Sequence, residues 1–409
     1  MTFLSDPISF IGHWLETLLL GWNLAPGLVE VIMKLIGAGI LGLVSLGLVI
    51  FTIWMERKLY ARIQDRLGPN RVGPWGIFQT FPDMIKIFTK EYITPEGADQ
   101  VVYNLAPILS VSAVILLWAI LPFASTVVGS NIYVGVLYVV AVGAIGTLSL
   151  IMAGWSSNNK YALLGAFRTV SQMVSYEVPM VIALLVPVIL THTMDITEIV
   201  KEQKIWFVIF SPLAAFMFFV SSQAEVERAP FDLLEAESEL VAGYQTEYSG
   251  LKFGMFYVGN FMHAFTVSAL TATFFLGGWQ GPYAETFPIL GMGYFLAKAF
   301  LVYFFVIVFR ITMPRLRIDQ MLNFNWKFLA PIGLVLLMVT ALVEKALQEI
   351  LPSLNLLPFG VLIVRAAVHL IANLLIAGVV IEILRRRTSK ERRRVAEPKP
   401  TAVAHSAGD

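Results

Sequence analysis

Long apolar runs separated by charged loops dominate this chain. Nine runs are predicted to be membrane-spanning helices, at 29–54, 105–124, 132–153, 170–191, 205–223, 253–277, 288–309, 328–343 and 360–383. The second and third come from one uncharged stretch, Leu105 to Asn159, divided by a polar break between Ser125 and Asn131. The pattern therefore predicts an all-α integral membrane protein. Residues 1–27 form an N-terminal amphipathic segment, 28–350 the membrane core, 351–384 an extra C-terminal span and 385–409 a basic, disordered tail. The first 27 residues lack a basic region, apolar run and small-residue cleavage site in sequence, and are expected to be retained.

Loop charge orients the spans. Of the 29 Lys and Arg residues, 23 fall in loops 55–104, 154–169, 224–252 and 310–327 and in the tail; only Lys34, Lys201, Lys204 and Lys345 fall on the opposite side. This positive-inside bias predicts an N-terminus outside and a C-terminus in the cytoplasm or its organellar equivalent. The expected location is a prokaryotic inner (plasma) membrane. Composition agrees with membrane residence: 57% of the residues are apolar and 14% charged. There is no cysteine, which excludes disulfides, thiolate zinc sites and cysteine-held iron–sulfur clusters in this chain. No metal ligand set and no nucleic-acid partner are expected.

Two cytoplasmic loops carry most of the candidate chemistry. Loop 55–104 extends the first span through Glu56, Arg57 and Arg62, then breaks at Gly68-Pro69-Asn70-Arg71-Val72-Gly73-Pro74, a fixed irregular turn. Ile77, Phe78, Phe81, Ile85 and Phe88 follow at helical spacing, with Asp83, Lys86 and Lys90 off that face. This segment is either a simple interfacial anchor or a lid over a lipid-accessible cavity, with Arg57, Arg62, Arg66 and Asp83 near its mouth. Loop 224–252 holds Glu225, Glu227, Asp232, Glu235, Glu237, Glu239 and Glu247 against Arg228 and Lys252. Asp232 and Glu235 have capping-box spacing, so a short helix is expected there, with Glu235 and Glu239 on one face. The loop is either a solvated acidic surface or a proton relay in which crowded carboxylates raise one another's pKa.

Ionisable residues also fall inside predicted spans. Glu177 follows Arg168 by nine residues, about 13 Å along a helix. Lys298 lies deep in the seventh span, and Arg365 and His369 share a face of the ninth. Such groups are functional or form structural pairs between helices. The ninth span is expected to be dispensable, so that truncation after Pro352 leaves assembly and pumping intact.

Six stretches then resemble one family: MERKLYARIQDRLGPNRVGPWG (55–76), FPDMIKIFTKEYITP (81–95), GAFRTVSQMVSYEVP (165–179), AEVERAPFDLLEAESELVAGYQTEYSGLKF (224–253), FLGGW (275–279) and RITMPRLRIDQ (310–320). In this order and spacing they resemble the quinone-side membrane subunits of respiratory complex I, a proton-pumping NADH-quinone oxidoreductase with a core of eight spans. The resemblance covers about residues 28–345. It implies a chain without redox centres that builds the quinone chamber and the first part of the proton-coupling path. Quinone would be the substrate, and NADH, flavin and iron–sulfur clusters would reside in partner subunits. Partners would be peripheral-arm iron–sulfur and quinone-site subunits, small membrane subunits, antiporter-like subunits and membrane lipids. By the same resemblance Glu56, Arg57, Arg62, Arg66, Asp83, Lys86, Arg228 and Phe231 would serve quinone. Glu177, Glu225, Asp232, Glu235, Glu237, Glu239, Glu247 and Lys298 would serve proton coupling, and Glu227 is expected to join them as an added acid.

The sequence departs from that pattern at Asn260-Phe261, where the family usually has Glu before an aromatic, and at Glu227, where Asn is common. The ninth span also exceeds the usual core. Two other readings compete: a related coupling subunit of a membrane-bound hydrogenase, and an independent secondary transporter. The intact entry motif favours quinone over the hydrogenase reading. The lack of internal repeats disfavours the transporter.

Overall fold

The computed structural model describes residues 6–22, 24–232, 240–354 and 357–396. Glu235, Glu237 and Glu239, with the short helix expected around them, lie outside the described residues. The described chain is helical apart from connecting loops and one isolated bridge between Pro122 and Val128. Its helices are α1 (Pro7–Gly21), α2 (Pro26–Ile63), α3 (Thr80–Thr89), α4 (Gln100–Trp118), α5 (Gly135–Ser156), α6 (Lys160–Thr191) and α7 (Ile196–Glu202). There follow α8 (Phe207–Phe210), α9 (Pro212–Glu225), α10 (Gly250–Phe275), α11 (Pro288–Thr312), α12 (Ile318–Phe324), α13 (Ala330–Ile350) and α14 (Pro358–Ala396).

Seven described helices are long and apolar enough to cross a membrane: α2, α4, α5, α6, α11, the continuous α12–α13 and α14. Two expected spans do not meet that description, for different reasons. The run 205–223 is broken at Ser211-Pro212, because Pro212 has no N–H to continue the ladder from α8. The remaining α9 is 14 residues, about 21 Å, shorter than a hydrocarbon core of about 30 Å. The run 253–277 is one 26-residue helix, α10, but 19 of its residues are buried by neighbouring protein. A helix clothed in protein need not be apolar all round. Thr266, Ser268, Thr271 and Thr273 return their hydroxyl protons to carbonyls four residues back, which satisfies them inside the bundle.

The main core gathers around α10, with Trp118 of α4, Tyr176 of α6, Phe218 of α9 and Phe295 of α11 among its buried side chains. The loop between α2 and α3 is shaped by two glycines. Gly73 and Gly76 both have φ +75, and a Cβ on Gly76 would lie 2.2 Å from the Pro69 carbonyl oxygen. The turn therefore folds back tightly on residues 68–70 before α3 begins. At the far end, α14 runs past Arg385 to Ala396, into the segment read from sequence as disordered. Glu382 accepts from Arg386 one turn on, at 2.8 Å, as an i, i+4 pair that favours helix.

Candidate functional site

The first spanning helix carries Glu56 into the interior, where it is 4% exposed. It anchors a charge cluster drawn from three distant parts of the chain. Arg228 donates to Glu56 Oε2 at 2.7 Å, Tyr303 donates to the same oxygen at 3.2 Å, and Arg310 donates to Oε1. Arg228 is itself buried and lies 4.6 Å from the centre of the Phe261 ring. One carboxylate thus faces two guanidinium groups, leaving local positive charge on the cluster. Burial opposes the charge of Arg228, but the Glu56 carboxylate outweighs it and raises the guanidinium pKa.

Two members of this cluster, Glu56 and Arg310, line an open cleft of about 550 Å³ between α2, α10 and α11, while Arg228 and Tyr303 stand behind them. Glu56, Arg57, Tyr60, Arg66, Tyr257, Phe261 and Arg310 line it, with Gly68 and Pro69 of the turn at its rim. That volume and the mix of aromatic and converging polar groups suit a small-molecule site. Arg57 donates to Asp83 at 2.5 Å, which ties α2 to α3, and Lys86 approaches the other carboxylate oxygen at 3.8 Å. The apolar face of α3 stays outside: Phe81, Ile85 and Phe88 are exposed. An ion pair on one face and bare rings on the other are what a helix at a membrane interface requires.

Not every residue expected at quinone lines this cleft. Arg62 is exposed on the outer face of α2 and Lys86 is largely solvent-facing. Phe231 is buried against Tyr176, with ring centres 5.1 Å apart, and its carbonyl accepts from Gln172 at 2.7 Å. Tyr60, Tyr257, Tyr303, Phe261 and Arg310 were missed as site residues. Arg310 had a signal, a cation closing an apolar run; the aromatic residues had none, since rings are common in spans.

The acidic residues divide into separate settings. Glu225, at the end of α9, is buried and shares a small cavity with Glu227, Asn260 and His263. Glu177 on α6 is half-buried and close enough to Glu225 for their charges to interact. Helix α6 holds this position by an unusual contact. Pro179 cannot donate to the Ser175 carbonyl, and the Asn325 amide donates to it instead, at 2.5 Å. Asp232 is half-buried within the acidic loop. Glu247 is engaged differently: its side chain accepts from Asn159, the N-cap of α6, at 2.6 Å, and its carbonyl accepts from Tyr103 at 2.7 Å. Lys298 does not pair with Glu177; its ammonium donates to the carbonyls of Gly278 and Gln280, at 3.0 and 2.8 Å. Among the described residues no group of His, Asp and Glu is arranged to hold a metal.

Comparison with known proteins adds the family. Residues 36–341 match the family described as NADH dehydrogenase. The chain belongs to the NADH dehydrogenase family. Within it, the chain is similar to the NADH-quinone oxidoreductase H subunit of Dehalococcoides mccartyi (strain CBDB1), 49% identical over 300 residues, covering 73% of this chain and 83% of the relative. The corresponding NADH-quinone oxidoreductase proteins of Carboxydothermus hydrogenoformans and Bacteroides thetaiotaomicron are each 42% identical, covering 80% and 81% of this chain and 92% and 96% of theirs. As a member of this family the chain is a multi-pass membrane subunit of the complex I kind. The matched region contains the cleft, the charge cluster and Glu177, and ends inside α13; α14 lies beyond it.

Proposed function

We propose that the cleft between α2, α10 and α11 receives quinone, and that the chain carries the first part of the proton path of a redox-driven, proton-pumping NADH-quinone oxidoreductase. The observation that carries this reading is the cleft with its aromatic lining above the Glu56–Arg228–Arg310 cluster. A quinone head group offers two carbonyl oxygens and a flat ring. Arg57, Arg66 and Arg310 can donate to such oxygens, and Tyr257 and Phe261 can pack on the ring. Its isoprenoid tail leaves along the exposed apolar side of α3, which lies in the membrane interface. Reduction converts each quinone to its hydroquinone by taking up two electrons and two protons, so charge and proton demand change beside the buried ionisable groups.

The electrons come from partner subunits, which hold NADH, flavin and iron–sulfur clusters; this chain has no cysteine with which to bind a cluster. Peripheral-arm quinone-site subunits close the cleft, small and antiporter-like membrane subunits adjoin the bundle, and lipids cover the remainder. In this reading the chain has nine spans in a bacterial plasma membrane. It crosses once through the short α8–α9 pair and once through α10, with the N-terminus outside and the C-terminus cytoplasmic. Glu177, Glu225, Glu227, Asp232, Glu235, Glu237, Glu239 and Glu247 belong to the path from the cleft into the membrane. Lys298 serves instead to hold the loop at Gly278 and Gln280. The test is Asp83→Leu, which frees Arg57 and unties α3. Quinone reduction by the assembled complex should fall at least ten-fold while NADH oxidation with an artificial acceptor is unchanged. Normal quinone turnover would reject the assignment.

A further inference from the structure

Between α4, α5, α6 and α10 lies a second, smaller cavity of about 50 Å³ that the quinone cleft does not include. Six polar side chains meet on it: Glu225 and Glu227 from the end of α9 and the acidic loop, Asn260 and His263 from α10, Ser110 of α4, and Tyr244. Asn260 and His263 are three residues apart on one helical face. Gly143 of α5 makes room for the acid, because a Cβ there would stand 3.3 Å from Glu225 Oε1. The side-chain oxygen of Asn260 is buried and accepts no hydrogen bond from any of the described residues. A buried acceptor of this kind calls for a donor. A space of this size takes about three to five waters, given roughly 10–15 Å³ for each, and the polar groups that reach it supply the partners bound water needs.

We propose that this cavity is a hydrated proton-transfer site in which His263 exchanges protons with Glu225 and Glu227 through bound water, oriented by Asn260. The step moves a proton and no electrons. An O–H bond of a protonated Glu225 breaks as water passes a proton to a ring nitrogen of neutral His263, giving a carboxylate and an imidazolium. The reverse step restores both. Imidazole suits this because it can accept at one nitrogen and release at the other. The alternative is a histidine that merely fills space in α10. This inference rests on the reading of the acidic loop as a proton path.

The experiment uses the whole complex in membrane vesicles. His263→Gln and His263→Asn keep polarity but cannot carry a proton. Quinone-driven proton uptake should fall at least ten-fold in each, with complex content on native gels unchanged. Asn260→Glu combined with His263→Ala places an acid in the same cavity and should recover at least a third of the wild-type uptake. Normal uptake in either assembled single variant overturns the proposal, and so does a double variant that assembles but recovers nothing. A measurement independent of assembly is the redox-induced infrared difference spectrum of wild-type complex grown with ¹⁵N-histidine. An isotope-sensitive imidazole band is expected, and it should vanish in H263Q; its absence from the wild type overturns the proposal outright. Glu225→Gln separates the two ideas. If it blocks pumping while the His263 variants pump normally, only the inference fails; if Glu225→Gln also pumps normally, the proton-path reading fails.

Discussion

Glu56 is a buried carboxylate on which two cations depend. It is the partner of Arg228 and Arg310, and Arg228 is only 3% exposed. Removing one member of a buried ion pair leaves the other uncompensated, at about 3–5 kcal/mol. Glu56→Gln is therefore expected to lower complex content and thermal stability, beyond any effect on quinone turnover. Native gels and a melting curve of the purified complex would show this; an unchanged melting temperature would refute the account. Glu177 makes the contrasting case. It is half-buried and interacts with Glu225 rather than with Lys298, whose ammonium two carbonyls already occupy. Glu177→Gln should accordingly assemble normally and lose proton pumping, while Glu177→Asp retains a substantial part. Wild-type pumping in the Gln variant would exclude a coupling role.

At the scale of elements, the last helix is stitched to the core by a polar ladder. Arg365 donates to both carboxylate oxygens of Glu344 on α13, at 2.9 and 2.7 Å, and to the Leu190 carbonyl at 2.5 Å. His369 meets Glu344 at 3.0 Å, and Asn373, one turn further, accepts from Ser211 at the α8–α9 break at 2.9 Å. Glu344 is 3% exposed. The expectation that truncation after Pro352 is harmless must then be revised, although α14 lies beyond the matched family region. Truncation leaves a buried carboxylate without Arg365 and His369, with only Gln348 at 3.4 Å and His192 at 3.8 Å remaining, and a poorly compensated buried charge costs several kcal/mol. The truncated chain should assemble poorly. Glu344→Leu in the same truncation should restore assembly, because an apolar side chain needs no partner there. Equal assembly of the two truncated forms would show that the ladder contributes little.

For the whole molecule, the proposed topology can be read chemically because the chain has no cysteine of its own. Tyr283 lies in the loop between α10 and α11 and is 77% exposed; Arg71 lies in the turn at the mouth of the cleft. With the outside N-terminus, Tyr283→Cys should react with a membrane-impermeant maleimide in intact cells. Arg71→Cys should react only after the membrane is opened. The opposite pattern would invert the topology and detach the cleft from the cytoplasmic peripheral arm.

Apolar run length and loop charge are local properties, so the sequence alone determined that the chain is a helical membrane protein and predicted its orientation. Motif order identified the family, and the Arg57–Asp83 neighbourhood was legible because both residues flank one turn. What the tertiary structure decided involves partners far apart along the chain. Glu56 meets Arg228 and Arg310 across 172 and 254 residues, and no periodicity records such a meeting. Likewise, Lys298 and Glu177 looked alike in sequence, as charges in apolar runs, until one found carbonyls and the other a second carboxylate. Helix α10 was read from sequence as a span despite its polar residues, and only the structure shows the protein neighbours that make those residues tolerable. The desolvation of a charge depends on its three-dimensional surroundings, and those are set only when the helices pack.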